Sequence, residues 1–127
     1  MTNTNGQEWL RLHTWAVAGD VLNEAKYAHT IAETLQKEGY EVALINPRSR
    51  DPRLCRSLSD YGQPIDVLDL VIHPKLGLKL VEEAKELGIK RVLIQPGAES
   101  DAILTYCAEH DLEAVEGCVL RALAGEE

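Results

Sequence analysis

The hydrophobic pattern of this chain alternates between two periods. Short continuous apolar runs are each followed by a stretch in which apolar positions recur three and four residues apart. The run at 14–18 predicts a strand ended by Gly19-Asp20. Residues 24–38 then carry Ala28, Ile31, Ala32 and Leu35 at helical spacing, with Gly39 placed to close the helix. A second strand is predicted over 41–45 and a third over 67–72, with a polar connection over 51–63 that holds a short helical turn at most. A helix over 75–87 ends at Gly88, a fourth strand covers 91–94, a helix covers 99–110 and a short fifth strand 113–115. The stretch 119–124 reads as a final helical turn or two. Ahead of the first strand, 9–13 reads as a short helix or a leading strand, and residues 1–8 as a disordered lead to a single domain over 9–127.

Strand–helix alternation at this spacing is the signature of βαβ units and a parallel sheet. The predicted fold is α/β: one three-layer, doubly wound parallel sheet of about five strands. Composition agrees, because the chain is 45% hydrophobic without a single Phe, so its core must be built from Val, Leu, Ile and Ala. The 127 residues suffice for one core.

Charge narrows the partners. A net charge of −8 argues against nucleic acid and anionic membrane, both of which need broad positive surfaces. Cys55, Cys107 and Cys118 are odd in number and widely spaced, as in a reducing compartment. With no apolar leader and no apolar run long enough to span a bilayer, a soluble cytoplasmic protein is expected. A homodimer is plausible for so small an α/β domain, although no residue shows it.

Parallel sheets bind ligands beyond the carboxyl ends of their strands. The candidate site residues are therefore Gly19, Asp20 and Val21, then Asn46, Pro47 and Arg48, then Ile72, His73 and Pro74, then Gln95, Pro96 and Gly97. Lys26 and Tyr27 join them from the start of the first helix. The first turn lacks the GxGxxG fingerprint and keeps only Gly19. One glycine still permits close backbone approach, and a helix N-terminus still offers N–H groups to a phosphate. Asp20 would repel a pyrophosphate there, unless it caps the helix; Lys26 and His29 could supply compensating charge.

The end of the second strand separates ligands. NAD-binding folds place an acid there for the ribose diol, whereas this chain has Asn46-Pro47-Arg48. Four of its seven arginines follow at once: Arg48, Arg50, Arg53 and Arg56. Against an acidic background, such a cluster favours a ligand with an extra ribose phosphate, coenzyme A or NADP. A solvated basic loop balancing Asp51 and Asp60 is the plainer reading of the same residues.

Trp15-Ala-Val-Ala-Gly19, Lys26-Tyr27-Ala28, Gly39-Tyr40-Glu-Val42, Ile45-Asn46-Pro47-Arg48, Ser57-Leu58, Asp66-Val67-Leu68-Asp69, Gln95-Pro96-Gly97 and a late Cys118 occur in an order and spacing that resembles the small stand-alone CoA-binding proteins. These are similar to the nucleotide-binding domain of the succinyl-CoA synthetase alpha subunit. The resemblance runs from about Trp15 to Leu123. It implies a Rossmann-like domain that binds coenzyme A or an acyl-CoA through the loops named above, and a binding module without catalysis of its own is expected. The chain departs from the family at the first turn, where a small residue and a Ser usually stand near Asp20 and the loop is about one residue longer. Acyl-CoA synthesis does not carry over, since that machinery lies outside the domain.

Other chemistry finds little support. GxSxG, HExxH and a P-loop are all missing from the sequence. Cys107 and His110 share a predicted helix face, but two ligands do not make a zinc site. Cys118 could approach the crevice and reads more simply as a core thiol. Glu82, Glu83 and Glu86 read as a solvated face. No catalytic residue and no metal is assigned. The alternatives are an NADP-dependent oxidoreductase or redox sensor with His73 as proton donor, and an interaction module whose nucleotide site has decayed.

Overall fold

The structure is a computed structural model, and residues 3–125 are described. Five strands form one sheet: β1 (Thr14–Gly19), β2 (Glu41–Ile45), β3 (Val67–Val71), β4 (Arg91–Ile94) and β5 (Glu113–Glu116). All pairings are parallel, in the order β2-β1-β3-β4-β5. Four α-helices connect and flank them: α1 (Tyr27–Lys37), α2 (Pro74–Leu87), α3 (Asp101–Glu109) and α4 (Val119–Leu123). The α/β fold expected from the hydrophobic pattern is therefore present.

Beyond β2, Ile45 and Cys55 make a lone parallel bridge, with Cys55 N–H donating to Leu44 O and Asn46 N–H to Cys55 O, each at 2.9 Å. Counted as a rudimentary strand between β2 and β3, the bridge turns the sheet order into 3-2-1-4-5-6, the order of dinucleotide-binding folds.

The sheet is covered on both faces, which is why its central strands lack polar alternation. Every residue of β1 is buried. Trp15, Val17, Val67 and Leu93 pack on one face against Ile31, Leu35 and Val119. Ala16, Ala18, Leu68, Leu70 and Ile94 pack on the other against Val81, Ala84 and Ile103.

Several boundaries differ from the expected ones for local chemical reasons. Helix α1 begins at Tyr27 rather than at 24 because the preceding residues are held in turns. Asn23 N–H donates to Asp20 O, Ala25 N–H to Asn23 Oδ1 and Lys26 N–H to Asn23 O. Helix α3 begins at Asp101 because Ser100 accepts from Ile103 N–H as an N-cap. Glu83 does not belong to a solvated face: its carboxylate accepts from Leu58 N–H at 2.8 Å and Ser59 N–H at 3.1 Å, fixing the 3-10 turn Ser59–Tyr61.

The largest correction is at the N-terminus. Where a disordered lead was expected through residue 8, Thr4–Arg11 is a 3-10 segment kinked at Asn5 and Gly6, both at positive φ (residues 1 and 2 of that lead lie outside the described residues). It is held by burial of Gly6 and Trp9 and by two long-range hydrogen bonds. Tyr40 Oη donates to Leu10 O, and Asn5 Oδ1 accepts from Cys118 N–H at 2.9 Å. The polar composition of this stretch conceals how few residues are needed to anchor it.

Candidate functional site

Sheet order reverses between β1 and β3, and the strand ends part there into a crevice. The register pairs Gly19 with Val71 at its base. A Cβ on Gly19 would lie 2.4 Å from Val71 O and 3.0 Å from Ala28 Cβ, so only glycine lets β1, β3 and α1 converge. The crevice has a volume of about 620 Å³. Its walls come from Gly19, Asp20, Lys26 and Tyr27 on one side, Asn46, Arg48 and Ser49 beyond β2, and Ile72, His73 and Leu76 after β3.

Each of these groups is positioned by its own backbone. The α1 N-terminus carries no side-chain cap and no acid in its first turn. Its unpaired N–H groups and the positive end of its dipole therefore remain available. Asp20 does not cap that helix. Its carboxylate accepts instead from Asn23 Nδ2 at 3.3 Å, within the turn that precedes α1. After β2, Asn46 Oδ1 accepts from Arg48 N–H at 3.0 Å and Asn46 O from Ser49 N–H at 3.1 Å. This local turn throws Arg48 toward the crevice. His73 is the N-cap of α2, its Nδ1 accepting from Lys75 N–H, which leaves the proton on Nε2.

The arginine cluster resolves into different roles. Arg53 forms a two-pronged pair with Asp51, Nε at 3.0 Å and Nη2 at 2.7 Å. The hydrogen bonds from Arg53 pull the Asp51 carboxyl down to about 2. Arg48 alone of the four lines the crevice, and its side chain forms no ion pair among the described residues.

A second cavity of about 620 Å³ lies beside the first, over the ends of β3, β4 and β5. Tyr27 and Val71 line both, which makes one trough along the carboxyl edge of the sheet. Gln95 and Pro96 border the second cavity, with Cys118 and Arg121 opposite. Gln95 is 2% exposed and its Nε2 donates to Asp69 Oδ1 at 2.6 Å. Asp69, at 0% exposure in the central strand, is pushed up to about 7, because burial outweighs that hydrogen bond. Asp69 Oδ2 and Gln95 Oε1 have no partner. Tyr27 is 62% exposed, and its phenol is pushed up chiefly by the charge of Cys118 and by a hydrogen bond to that thiol, with Arg121 opposing.

Of the residues expected at the site, eight border the first cavity: Gly19, Asp20, Lys26, Tyr27, Asn46, Arg48, Ile72 and His73. Gln95 and Pro96 border the second. The others sit elsewhere. Val21 is buried in the core beneath α1, Pro47 lies inside the turn, and Pro74 opens α2. Gly97 spends its N–H on Glu99, which accepts it at 2.7 Å. Ser49, Leu76, Asn5, Glu116 and Arg121 carry no sequence motif and reach the trough only through tertiary packing. Both readings of Cys118 hold: it is buried, and it also forms cavity wall. Among the described residues no group of three or more His, Cys, Asp or Glu could hold a metal ion, and no helix is long and apolar enough to cross a membrane. Cys107 is buried, while His110 stacks on Tyr106 with ring centroids 4.0 Å apart.

The sequence profile described as "CoA binding domain" matches residues 13–124. Among solved structures, a conserved hypothetical protein from Pyrococcus furiosus is 34% identical, with 86% of this chain and 97% of that one covered and a TM-score of 0.77. A hypothetical protein from Pyrococcus horikoshii OT3 is 25% identical, with 98% and 92% covered and a TM-score of 0.88. A Thermus thermophilus protein at 24% identity, with 98% of each chain covered and a TM-score of 0.86, shares the fold. No curated protein matches the chain.

Proposed function

From the premise that this chain belongs to the CoA-binding domain family, we propose that it binds coenzyme A or an acyl-CoA in the trough along the carboxyl edge of its sheet, as a binding module without catalysis of its own. One observation carries the reading. Arg48, free of acidic partners, faces the same crevice as the uncapped N-terminus of α1. These are two anion-seeking groups set apart, as a ligand with a pyrophosphate and a separate ribose phosphate requires. Gly19 supports the same reading by allowing backbone to approach the phosphates.

In this reading the N–H groups of α1 and Lys26 meet the pyrophosphate. Arg48 meets the ribose 3′-phosphate, and Asn46 and Pro47 shape the turn beside the adenosine. His73 offers Nε2–H, and Gln95 and Pro96 border the pantetheine path. Asp20 lies against the same crevice, and it weakens the phosphate grip without filling it.

Titration calorimetry with CoA, 3′-dephospho-CoA, NADP and NAD tests the assignment. CoA binds tightest, and Arg48→Ala lowers its affinity roughly ten- to hundredfold while changing dephospho-CoA little, since a charge-assisted pair contributes ~1.5–3 kcal/mol. Equal losses for both ligands would remove the role given to Arg48. Tighter binding of NADP than of CoA would favour the oxidoreductase reading. No heat with any nucleotide at millimolar concentration would leave an interaction module as the surviving interpretation.

A further inference from the structure

The geometry assigns to Cys118 a further function: it is the site at which the chain forms a mixed disulfide with coenzyme A. The inference rests on the CoA reading above and goes beyond reversible binding. Its first support is the direction of the trough. CoA carries its phosphates at one end and its thiol at the other. With the phosphates between Arg48 and α1, the shared walls Tyr27 and Val71 lead on into the cavity over β4 and β5. Cys118 lies in that cavity, whereas neither Cys55, at the opposite sheet edge, nor Cys107, on the core face of α3, borders either cavity. All three cysteines are free of internal disulfides.

A second, independent observation marks the cavity as built for a polar occupant. Gln95, 2% exposed, forms part of its wall and leaves one end of its amide without a partner. That end is itself buried beside the Asp69 carboxyl, so a ligand reaches it once the side chain turns outward, and buried polar groups are seldom left unpaired. The amides of a pantetheine chain supply both donor and acceptor. The Cys118 position is also fixed. Its N–H is held by Asn5, and Gly117 is what admits Asn5, since a Cβ there would lie 2.6 Å from Asn5 Cα.

The reaction is thiol–disulfide exchange with an oxidised CoA, either CoA disulfide or a CoA mixed disulfide. The Cys118 thiolate attacks the CoA sulfur of the seated ligand. One S–S bond forms between Cys118 Sγ and CoA, and the original S–S bond breaks. The departing sulfur leaves as a thiolate and takes up the proton that Cys118 gave up. Cys118 is oxidised to the disulfide level while one thiol equivalent is reduced, and any added thiol reverses the step.

The experiment is intact-mass spectrometry after incubation with CoA disulfide, in parallel with glutathione disulfide, followed by peptide mapping. Expected is a single adduct with a mass gain of one CoA less two hydrogens, on Cys118, removed by dithiothreitol. It forms at least tenfold faster than the glutathione adduct, remains in Cys55→Ser, and is lost in Cys118→Ser. An adduct on Cys55 or Cys107, or equal rates with the two disulfides, would overturn the proposal, and both readouts use the unmutated protein. Calorimetry with reduced CoA separates the two levels. If reduced CoA binds and no Cys118 adduct forms, only this inference fails; if reduced CoA does not bind, both readings fail.

Discussion

At the scale of single residues, the protein stakes its core on two positions that allow little substitution. Gly19 is one. Gly19→Ala places a methyl group against Val71 O, and overpacking of this kind costs about 1–3 kcal/mol. Urea denaturation is expected to show that loss. Asp69 is the other. Its carboxyl stands at 3.8 in the unfolded chain and is pushed to about 7 by burial in the fold. The native state therefore holds this proton over a window in which the unfolded chain has lost it. Stability contributed by the protonated acid is complete below pH 4 and is lost as pH rises toward 7, by at most ~1.4 kcal/mol per pH unit. Asp69→Asn is expected to flatten that part of the profile in denaturation series from pH 4 to 8; an unchanged slope would show that Asp69 is not its source. Neither feature was equally open to sequence reading. Gly19 stood out as the glycine ending a strand, whereas Asp69 lay hidden in an apolar run whose partner, Gln95, is 26 residues away.

At the scale of elements, the strands were legible because burial on both faces writes them as uninterrupted apolar runs. Helix starts were not, because polar side chains near them choose between capping and turn formation through contacts that periodicity does not encode. Asn23 and Asp20 shorten α1 in this way, and their retreat leaves the α1 N-terminus open to the crevice. Glu83 makes the same point between elements. It projects from α2 and holds two N–H groups of the connection between β2 and β3. Glu83→Ala is expected to cost roughly 1–2 kcal/mol, since two backbone donors lose a charged acceptor. Faster hydrogen exchange confined to residues 56–62 would accompany it, and exchange spread over the whole domain would contradict so local a role. The arginine loop shows how sequence can overstate a cluster: Asp51 neutralises Arg53, and the turn at Asn46 selects Arg48.

At the scale of the whole molecule, the parallel sheet with a site beyond its strand ends was expected from alternation alone, but the strand order and the second cavity were not. It depends on the N-terminal 3-10 segment reaching across to β5 and α4, and nothing in a polar stretch of sequence announces a partner 113 residues away. Asn5→Ala is expected to lower the melting temperature slightly, the loss of one hydrogen bond being ~1 kcal/mol, and to quicken alkylation of Cys118 by iodoacetamide several-fold. Unchanged alkylation would show that Asn5 does not restrain that wall. The span of this contact also orders events in time. Closing so long a loop is entropically dear and belongs to the slow, non-local part of folding. A nascent chain extended to α3 already contains β1, β2, β3 and α1, and with them every group of the phosphate-facing crevice. The sulfur-facing cavity must wait for Gly117 and Cys118 to leave the ribosome and find Asn5. In the binding mode proposed above, the two ends of the ligand would thus be met by parts of the protein that come into being at different moments, the grip on phosphate first and the seat for sulfur last.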